Sequence, residues 1–357
     1  MQFSRLLLTS AAVPLLWMNG LQAQSAPHAP SRPLTVDRDP APSIDPDQSP
    51  TKTPETNAPG VDTVGKDSAG RYTLRMDASE VQLNVSVIDD HGHHIDNLKP
   101  DAFQVYEDGV PQTITNLRHE DVPVSIGLLI DSSASMYDKR AAVDDAAINL
   151  IRLSNPRDEA FLVNFNSKAY IDQDMTSSVE KLEQGLHFVN SEGGTAAYDA
   201  VMASAEYLTR HGKNSKQVLV LVTDGEDNAS RTSMQAMIHR VQRLDGPVIY
   251  CVGLLFGDDV DKAAAQRAKS LLEEIAKETG GAAFFPRSLK EVAPVASIVA
   301  EDVRTQYAIS YSSTNPPSNG GYRAVHVDVV DRHKKNLIAR TRNGYIPKPP
   351  PSPPEAR

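Results

Sequence analysis

The chain has 357 residues, of which 40% are hydrophobic and 23% are charged, and its formal net charge at pH 7 is −10. This length is enough for two domains, and the composition is compatible with folding around a core. The acidic balance, without a dense basic patch, argues against a nucleic-acid-binding protein and against electrostatic docking on an anionic membrane.

Residues 1–23 have the pattern of a secretory signal peptide. One basic residue in MQFSR precedes the apolar run LLLTSAAVPLLWM, and LQAQSA offers small residues for cleavage, which we expect after Ala23. The alternative is an uncleaved membrane anchor, although the run is short for a membrane span and contains Pro14. We therefore predict an exported protein of the periplasm, cell envelope or extracellular space, with no integral membrane span after cleavage.

Two proline-rich segments flank the central part of the chain. Residues 24–70 hold many prolines and few large apolar residues, and the tail at 347–357 reads PKPPPSPPEAR from Pro347 onward. Such segments bury too little apolar surface to fold alone, so we predict a disordered or extended linker and an extended tail.

Residues 71–120 have the alternating pattern of β-strands. In VQLNVSV, the apolar residues Val81, Leu83, Val85 and Val87 point to one side of the predicted strand. AFQVYEDGVPQTITNL predicts a hairpin with Asp108 and Gly109 as its turn.

Residues 121–304 alternate between apolar runs and helical patterns. The predicted strands are VSIGLLI, EAFLVNF, KAYIDQ, KQVLVLVT, PVIYCVGLLF and GAAFFP. The predicted helices cover roughly residues 138–153, 177–186, 197–210, 231–243, 261–278 and 288–304. Continuous apolar strands indicate burial on both faces, as in a mostly parallel sheet flanked by helices. We therefore predict a doubly wound α/β domain.

Alternation returns in residues 305–346, where TQYAISYSS, YRAVHVDVV and NLIARTRNGYI predict further strands. A single pair of strands is marginally stable by itself. We therefore expect residues 71–120 and 305–346 to form one small β-sandwich, with the α/β domain inserted between its two parts.

Three loops at predicted strand ends of the α/β domain carry oxygen-bearing side chains. The first, DSSASM, contains Asp131, Ser133 and Ser135; the second, GGTAAYDA, contains Thr195; and the third, VTDGED, contains Asp224. Ligands of doubly wound sheets bind beyond the carboxyl ends of the strands, so these loops can converge.

Carboxylate and hydroxyl oxygens are ligands for a hard cation such as Mg²⁺ or Mn²⁺, and Ca²⁺ is also compatible with them. Two carboxylates against a dication leave no surplus negative charge on the metal. An acidic side chain of a protein partner is then not repelled and can take an open coordination position. These residues therefore predict a divalent-metal site that binds a partner presenting Asp or Glu.

The order Asp-x-Ser-x-Ser, loop Thr, Thr-Asp-Gly resembles the metal-ion-dependent adhesion site of von Willebrand factor type A domains, and the resemblance covers about residues 122–304. It implies metal-dependent protein binding in adhesion or assembly, without catalysis. The flanking strands look like exported von Willebrand factor type A-related proteins of acidobacteria. Ala134 stands where the motif often has glycine, which changes no ligand atom.

Asp138 matches the first of two aspartates that hold an adjacent, calcium-preferring site in integrin β subunits, which the chain resembles at this point. Lys139 stands in place of the second aspartate, which removes a ligand and adds a repelling charge. The simpler interpretation of Asp138 is an acidic residue at a helix N-terminus.

Simpler structural roles are the alternative for these and the neighbouring polar residues. The serines and Thr195 could cap helices, and Asp224 could be a turn residue. Glu226, Asp227 and Asn228 could bind calcium but are expected to form a solvated loop, and Asp199 is expected to support its own loop. The histidines of DDHGHH, which are His91, His93 and His94, are expected to lie in a solvated turn rather than to bind a transition metal.

The sequence does not favour an enzyme. A serine nucleophile needs a base within hydrogen-bonding reach, and no Gly-x-Ser-x-Gly motif is present. We predict a metal-dependent, adhesion-type protein-binding module. The alternatives are a constitutive scaffold or assembly component of the cell envelope and, less favoured, a metal-dependent hydrolase.

Overall fold

The structure is a computed structural model that describes residues 80–119, 121–186, 191–244, 246–257, 260–330 and 336–347, together with three short strands at 32–33, 64–66 and 72–74. The predicted signal peptide and the tail beyond residue 347 lie outside the described residues. So does the predicted linker, apart from its two short strands at 32–33 and 64–66.

The six predicted helices are all present, with ends within a few residues of the expected ones. They are α1 Arg140–Arg152, α2 Val179–Leu186, α3 Ala197–His211, α4 Met234–Arg243, α5 Lys262–Thr279 and α6 Val292–Arg304. Helix α4 begins later than predicted because Ser233 caps it, its side chain accepting a hydrogen bond from the backbone N–H of Ala236. Helix α6 also begins later, because residues 289–291 form a 3₁₀ turn.

The strands, in chain order, are β1 Arg32–Pro33, β2 Val64–Lys66, β3 Tyr72–Leu74, β4 Glu80–Ile88, β5 Phe103–Glu107, β6 Val110–Gln112, β7 Ile114–Arg118, β8 Val124–Asp131, β9 Glu159–Phe165, β10 Ala169–Thr176, β11 Lys216–Thr223, β12 Val248–Gly253, β13 Ala283–Phe284, β14 Tyr307–Ser312, β15 Arg323–Val329, β16 Ile338–Arg340 and β17 Gly344–Tyr345. The predicted hairpin is formed by β5 and β6, and Asp108 and Gly109 at its turn both have positive φ.

The central sheet has the order β1-β10-β9-β8-β11-β12-β13. Strands β9, β8, β11, β12 and β13 are parallel, and β10 and β1 add antiparallel pairs at one edge. Every residue of β8 is buried, as its continuous apolar run predicts. Helices α1, α2 and α6 pack on one face, and α3, α4 and α5 pack on the other. The prediction of a doubly wound, mostly parallel α/β fold is confirmed.

The remaining strands of both flanks form two further four-stranded sheets, in the orders β16-β4-β14-β7 and β17-β15-β5-β6. Both sheets combine strands from before and after the α/β region, since β14 pairs with β4 and β15 pairs with β5. Their apolar faces share one core that contains Leu83, Val85, Val105, Tyr307 and Ile309. This arrangement confirms the predicted insertion of the α/β fold into a small β-sandwich. The domain limits themselves stay a prediction.

A buried polar junction joins α6 to the β-sandwich. Asp302, in the last turn of α6, is 1% exposed and accepts a hydrogen bond from Arg340 of β16. His94 lies 3.5 Å from the same carboxylate, and the Lys216 ammonium donates to the carbonyl of Val303. Buried ionic groups of this kind are tolerated only when they are paired, so the junction fixes the end of α6 against the sandwich.

Candidate metal centre

The predicted loops converge at the carboxyl edge of the central sheet. Strands β8 and β11 are parallel neighbours, and they end at Asp131 and Thr223. In the sheet, β8 lies between β9, to which the chain passes next, and β11. The order of the strands therefore reverses at this place, where doubly wound sheets form a crevice for ligands.

Asp131 is the buried centre of the first loop, with no exposed surface. Its Oδ1 atom accepts a hydrogen bond of 2.7 Å from the backbone N–H of Ser133, and its Oδ2 atom accepts one of 2.6 Å from the Thr223 hydroxyl. Thr223 was not among the predicted site residues. Its place directly before Asp224 in VTDG is the signal that identifies it.

Asp224 joins the first loop to the third. Its Oδ1 atom accepts a hydrogen bond of 2.8 Å from the Ser135 hydroxyl, whose oxygen lies 3.2 Å from that of Ser133. Its Oδ2 atom lies 2.5 Å from the Lys139 ammonium. Four of the five predicted ligands are thus connected by short hydrogen bonds, and Lys139 is an additional member of the cluster.

Thr195 lies on the second loop, which is held against both of the others. It is 4% exposed, its N–H donates to the Asn228 side chain at 2.8 Å, and its carbonyl accepts from the N–H groups of Asn228 and Ala229. The Gly193 carbonyl accepts a 3.3 Å bond from the N–H of Ala134 in the first loop. These backbone bonds position Thr195 beside the Asp131 and Asp224 loops.

The acidic residues beyond Asp224 stabilise loops. The Asp227 carboxylate accepts bonds from the N–H of Tyr198 and from Ser230, and Asp199 accepts from the N–H groups of residues 231 and 232. Glu226 forms a 2.6 Å ion pair with Arg267. Asp227 and Glu226 are therefore committed to protein contacts, as the loop interpretation expects. Asp199, in the first turn of α3, supports the loop before α4 rather than its own loop.

Comparison with known proteins identifies the fold around these loops. Residues 126–226 match the family model of the von Willebrand factor type A domain, and this range includes Asp131, Thr195 and Asp224. The chain contains a von Willebrand factor type A domain.

Similar proteins share this domain at low identity. The human inter-alpha-trypsin inhibitor heavy chain H6 is 23% identical over 201 residues, covering 51% of this chain and 15% of that protein, so the chain spans only a small part of this relative.

Among solved structures, proximal thread matrix protein 1 from the mussel byssus is 19% identical with a TM-score of 0.44, covering 52% of this chain and 49% of the mussel chain. A second structure of that mussel protein has a zinc-occupied metal-ion-dependent adhesion site. A von Willebrand factor type A protein from Catenulispora acidiphila is 13% identical, also with a TM-score of 0.44, and covers 76% of this chain and 74% of its own.

Burial sets the electrostatics of the type A domain's central carboxylate. It raises the pKa of Asp131 to about 6, against the opposing effect of hydrogen bonds from Thr223 and Ser133. The charge of Asp224 raises it slightly further. Lys139 pairs with Asp224, whereas the Asp131 contacts in the described part of the chain are hydrogen bonds from neutral groups. A bound metal ion would bring positive charge to the Asp131 carboxylate.

The chemistry of these side chains fits a hard divalent cation. Asp131 and Asp224 offer carboxylates, and Ser133, Ser135 and Thr195 offer neutral hydroxyls. Within the described residues, no three His, Cys, Asp or Glu side chains form a group that could hold a metal. At these loops, the two carboxylates and the three hydroxyls are the side-chain oxygens that could surround a cation.

The remaining predicted positions are Asp138, which lines a groove together with Ser135 and Asp224, and the histidines of the DDHGHH turn. Asp138 is exposed, two residues before the start of α1, and its proposed second site stays a prediction. At the DDHGHH turn, the Asp89 carboxylate accepts from the N–H groups of His91 and His93, which is the ordinary chemistry of a turn. The prediction of a solvated turn is wrong for His94, whose side chain is 13% exposed and faces the buried Asp302 carboxylate. None of the described helices has the length and apolar character of a membrane span.

Proposed function

We propose that the protein is an exported binding module whose type A domain holds a divalent cation and captures an Asp or Glu side chain of a protein partner through it. The proposed ligands are Asp131, Ser133, Ser135, Thr195 and Asp224. The observation that carries the proposal is the buried Asp131 carboxylate within hydrogen-bonding distance of two loops that also present Ser135 and Asp224.

The metal is proposed to be Mg²⁺, and Mn²⁺ accepts the same oxygen ligands. Mg²⁺ prefers six oxygens in octahedral geometry and usually keeps positions for water or for a partner's group. Ser135 is exposed and Asp131 is buried, so the open position would face solvent above the Ser135 side of the site. A partner's carboxylate could reach the ion there without opening the fold.

The surface around the site offers contacts that could make the binding specific. A groove of about 570 Å³ begins at Ser135 and Asp224 and has apolar walls that include Phe256 and Val260. Tyr137, in the first loop, is 76% exposed. Exposed aromatic side chains next to apolar grooves are common at protein interfaces. In this proposal the metal provides the bond and these side chains select the partner.

A hydrolase receives less support. Type A domains are mostly binding modules rather than enzymes. The Ser133 and Ser135 hydroxyls contact each other and Asp224, and no histidine in the described part of the chain is bonded to them. A serine nucleophile would thus lack the base that it needs.

The proposal is tested by metal-dependent capture. The full chain, immobilised beside its Asp131→Ala variant, is exposed to envelope proteins in Mg²⁺ and then washed with EDTA. We expect a partner that binds the wild type in Mg²⁺, leaves in EDTA and does not bind Asp131→Ala. Asp145→Ala, which removes an exposed carboxylate of α1, is the matched control and should behave as the wild type.

A partner that stays bound in EDTA and binds Asp131→Ala equally well would contradict metal-dependent capture. It would instead support the constitutive scaffold that the proline-rich segments also suggest.

A further inference from the structure

We infer that Lys139 is a built-in counter-cation of the metal site, which occupies Asp224 in the metal-free protein and couples metal binding to the arrival of a partner's carboxylate. The inference rests on the proposed function, because it assigns a regulatory role within the same site.

The contacts of Lys139 place its charge on a predicted metal ligand. Its ammonium lies 2.5 Å from Asp224 Oδ2 and 3.5 Å from the Ser135 carbonyl oxygen. The Lys139 side chain is 15% exposed and the Asp224 side chain 2%. The Coulomb attraction within an ion pair this well shielded from water is screened less than that within a surface pair. Since Ser135 bonds the other oxygen, both oxygens of Asp224 are in use without metal.

The backbone of Lys139 is fixed, so the side chain is the part that can move. Its N–H donates to the Met136 carbonyl at 2.9 Å, and its carbonyl accepts from Val143 in the first turn of α1. A cation that uses Asp224, directly or through water, would meet the ammonium at this carboxylate. The long side chain can swing toward the adjoining groove, which Lys139 itself lines.

The formal charges of these shielded groups explain why a partner's carboxylate would strengthen metal binding. Asp131, Asp224 and Lys139 together carry one net negative charge, and a dication changes this to one net positive charge. A carboxylate from a partner brings the sum to zero. Excess charge in a shielded site is unfavourable, so metal alone should bind weakly and metal with a carboxylate more tightly.

Two other charged groups nearby, Asp138 and Glu226, change the net charge at the site little. Asp138 is exposed to water, which screens its charge. Glu226 is already paired with Arg267. Among the charged side chains that the structure describes around this groove, Lys139 is the cation in contact with a proposed metal ligand.

The test is a calorimetric titration of the full chain with Mg²⁺, with and without acetate as the carboxylate probe. Lys139→Met removes the charge, and Lys168→Met is the matched control, because Lys168 is exposed on the turn after β9. Without acetate, we expect Lys139→Met to bind Mg²⁺ at least about tenfold more tightly than the wild type, as loss of a shielded competing charge predicts. Acetate should tighten Mg²⁺ binding to the wild type more than to Lys139→Met.

A second variant and a second readout guard against a folding defect. Lys139→Gln keeps a hydrogen-bond donor for Asp224 without the charge, and it should also bind Mg²⁺ more tightly than the wild type. In thermal unfolding, Mg²⁺ should raise the melting temperature of both Lys139 variants more than that of the wild type. A lysine that only braces the loop would give no such metal-dependent gain.

Two results would overturn the inference and differ in meaning. Equal Mg²⁺ affinity of the wild type, Lys139→Met and Lys139→Gln would overturn the role of Lys139 while leaving the metal site intact. No saturable binding by any of the proteins, even in acetate, would overturn the metal site and the inference with it.

Discussion

Replacing Asp131 by asparagine should make the metal-free protein more stable near neutral pH. Burial raises the pKa of Asp131 from 3.8 to about 6, so the folded protein disfavours the ionised carboxylate. This shift corresponds to about 3 kcal/mol at a pH above both values, because each pKa unit is worth about 1.4 kcal/mol. Asparagine carries no charge, and its amide can accept from the Ser133 N–H and donate to the Thr223 hydroxyl. We expect a gain of about 1–3 kcal/mol.

The pH dependence has a definite sign. Below pH 3.8 the Asp131 carboxyl is protonated in both the folded and the unfolded chain, and its contribution to stability is fully present. Between pH 3.8 and about 6 the unfolded chain ionises first, so this contribution is lost as the pH rises. The stability advantage of Asp131→Asn should therefore appear across this interval and stay constant above it.

Asp224→Asn is the matched comparison, because the same replacement of a carboxylate by an amide should destabilise the protein at this position. Asp224 is paired with Lys139, and its loss leaves a shielded ammonium without an anion. Urea unfolding in EDTA, followed by circular dichroism, measures both variants against the wild type. The reasoning would be refuted if Asp131→Asn were less stable than the wild type in EDTA, or if both variants shifted in the same direction.

Three further predictions concern the framework of the site, and urea unfolding measures each of them. Asp302→Ala should cost about 3–5 kcal/mol, because it leaves Arg340 unpaired at the junction with the sandwich; a change below about 1 kcal/mol would contradict the buried pairing. Glu107→Gln should destabilise the sandwich by a similar amount, because it leaves the charge of the fully buried Arg323 without its carboxylate partner. Adding Arg323→Met removes that charge and should restore part of the lost stability. A double variant no more stable than Glu107→Gln alone would contradict this reasoning. Gly127→Ala should lower the free energy of unfolding by about 1–3 kcal/mol, because the new methyl carbon would lie 2.5 Å from a methyl carbon of Leu219 on the neighbouring strand β11. Unchanged stability would contradict this tight packing.

The pattern of apolar residues was sufficient to predict the architecture. The continuous run in β8 predicts burial on both faces, and the alternation of Val81, Leu83 and Val85 predicts one buried face; both are confirmed. These patterns are local, and each strand's burial follows from its own residues. The convergence of the three loops could be predicted for the same reason, because they follow the ends of buried strands.

Contacts between distant residues could not be predicted in this way. The alternation of β15 places Arg323 on the same face as Val325, yet its charge suggests exposure. It is buried because Glu107 pairs with its guanidinium and the carbonyls of Asn315 and Pro316 accept hydrogen bonds from it. Lys139 lies four residues after Ser135, and nothing in its local sequence indicates contact with Asp224. The bond from Thr223 to Asp131 likewise depends on the pairing of β8 with β11.

The most direct test of the metal-dependent binding site is a calorimetric titration of the full chain with Mg²⁺ in acetate, beside its Asp131→Ala and Asp145→Ala variants. The account predicts saturable binding to one site in the wild type and in Asp145→Ala, and loss of binding in Asp131→Ala. Undiminished binding by a folded Asp131→Ala protein, or no saturable binding by the wild type, would contradict it.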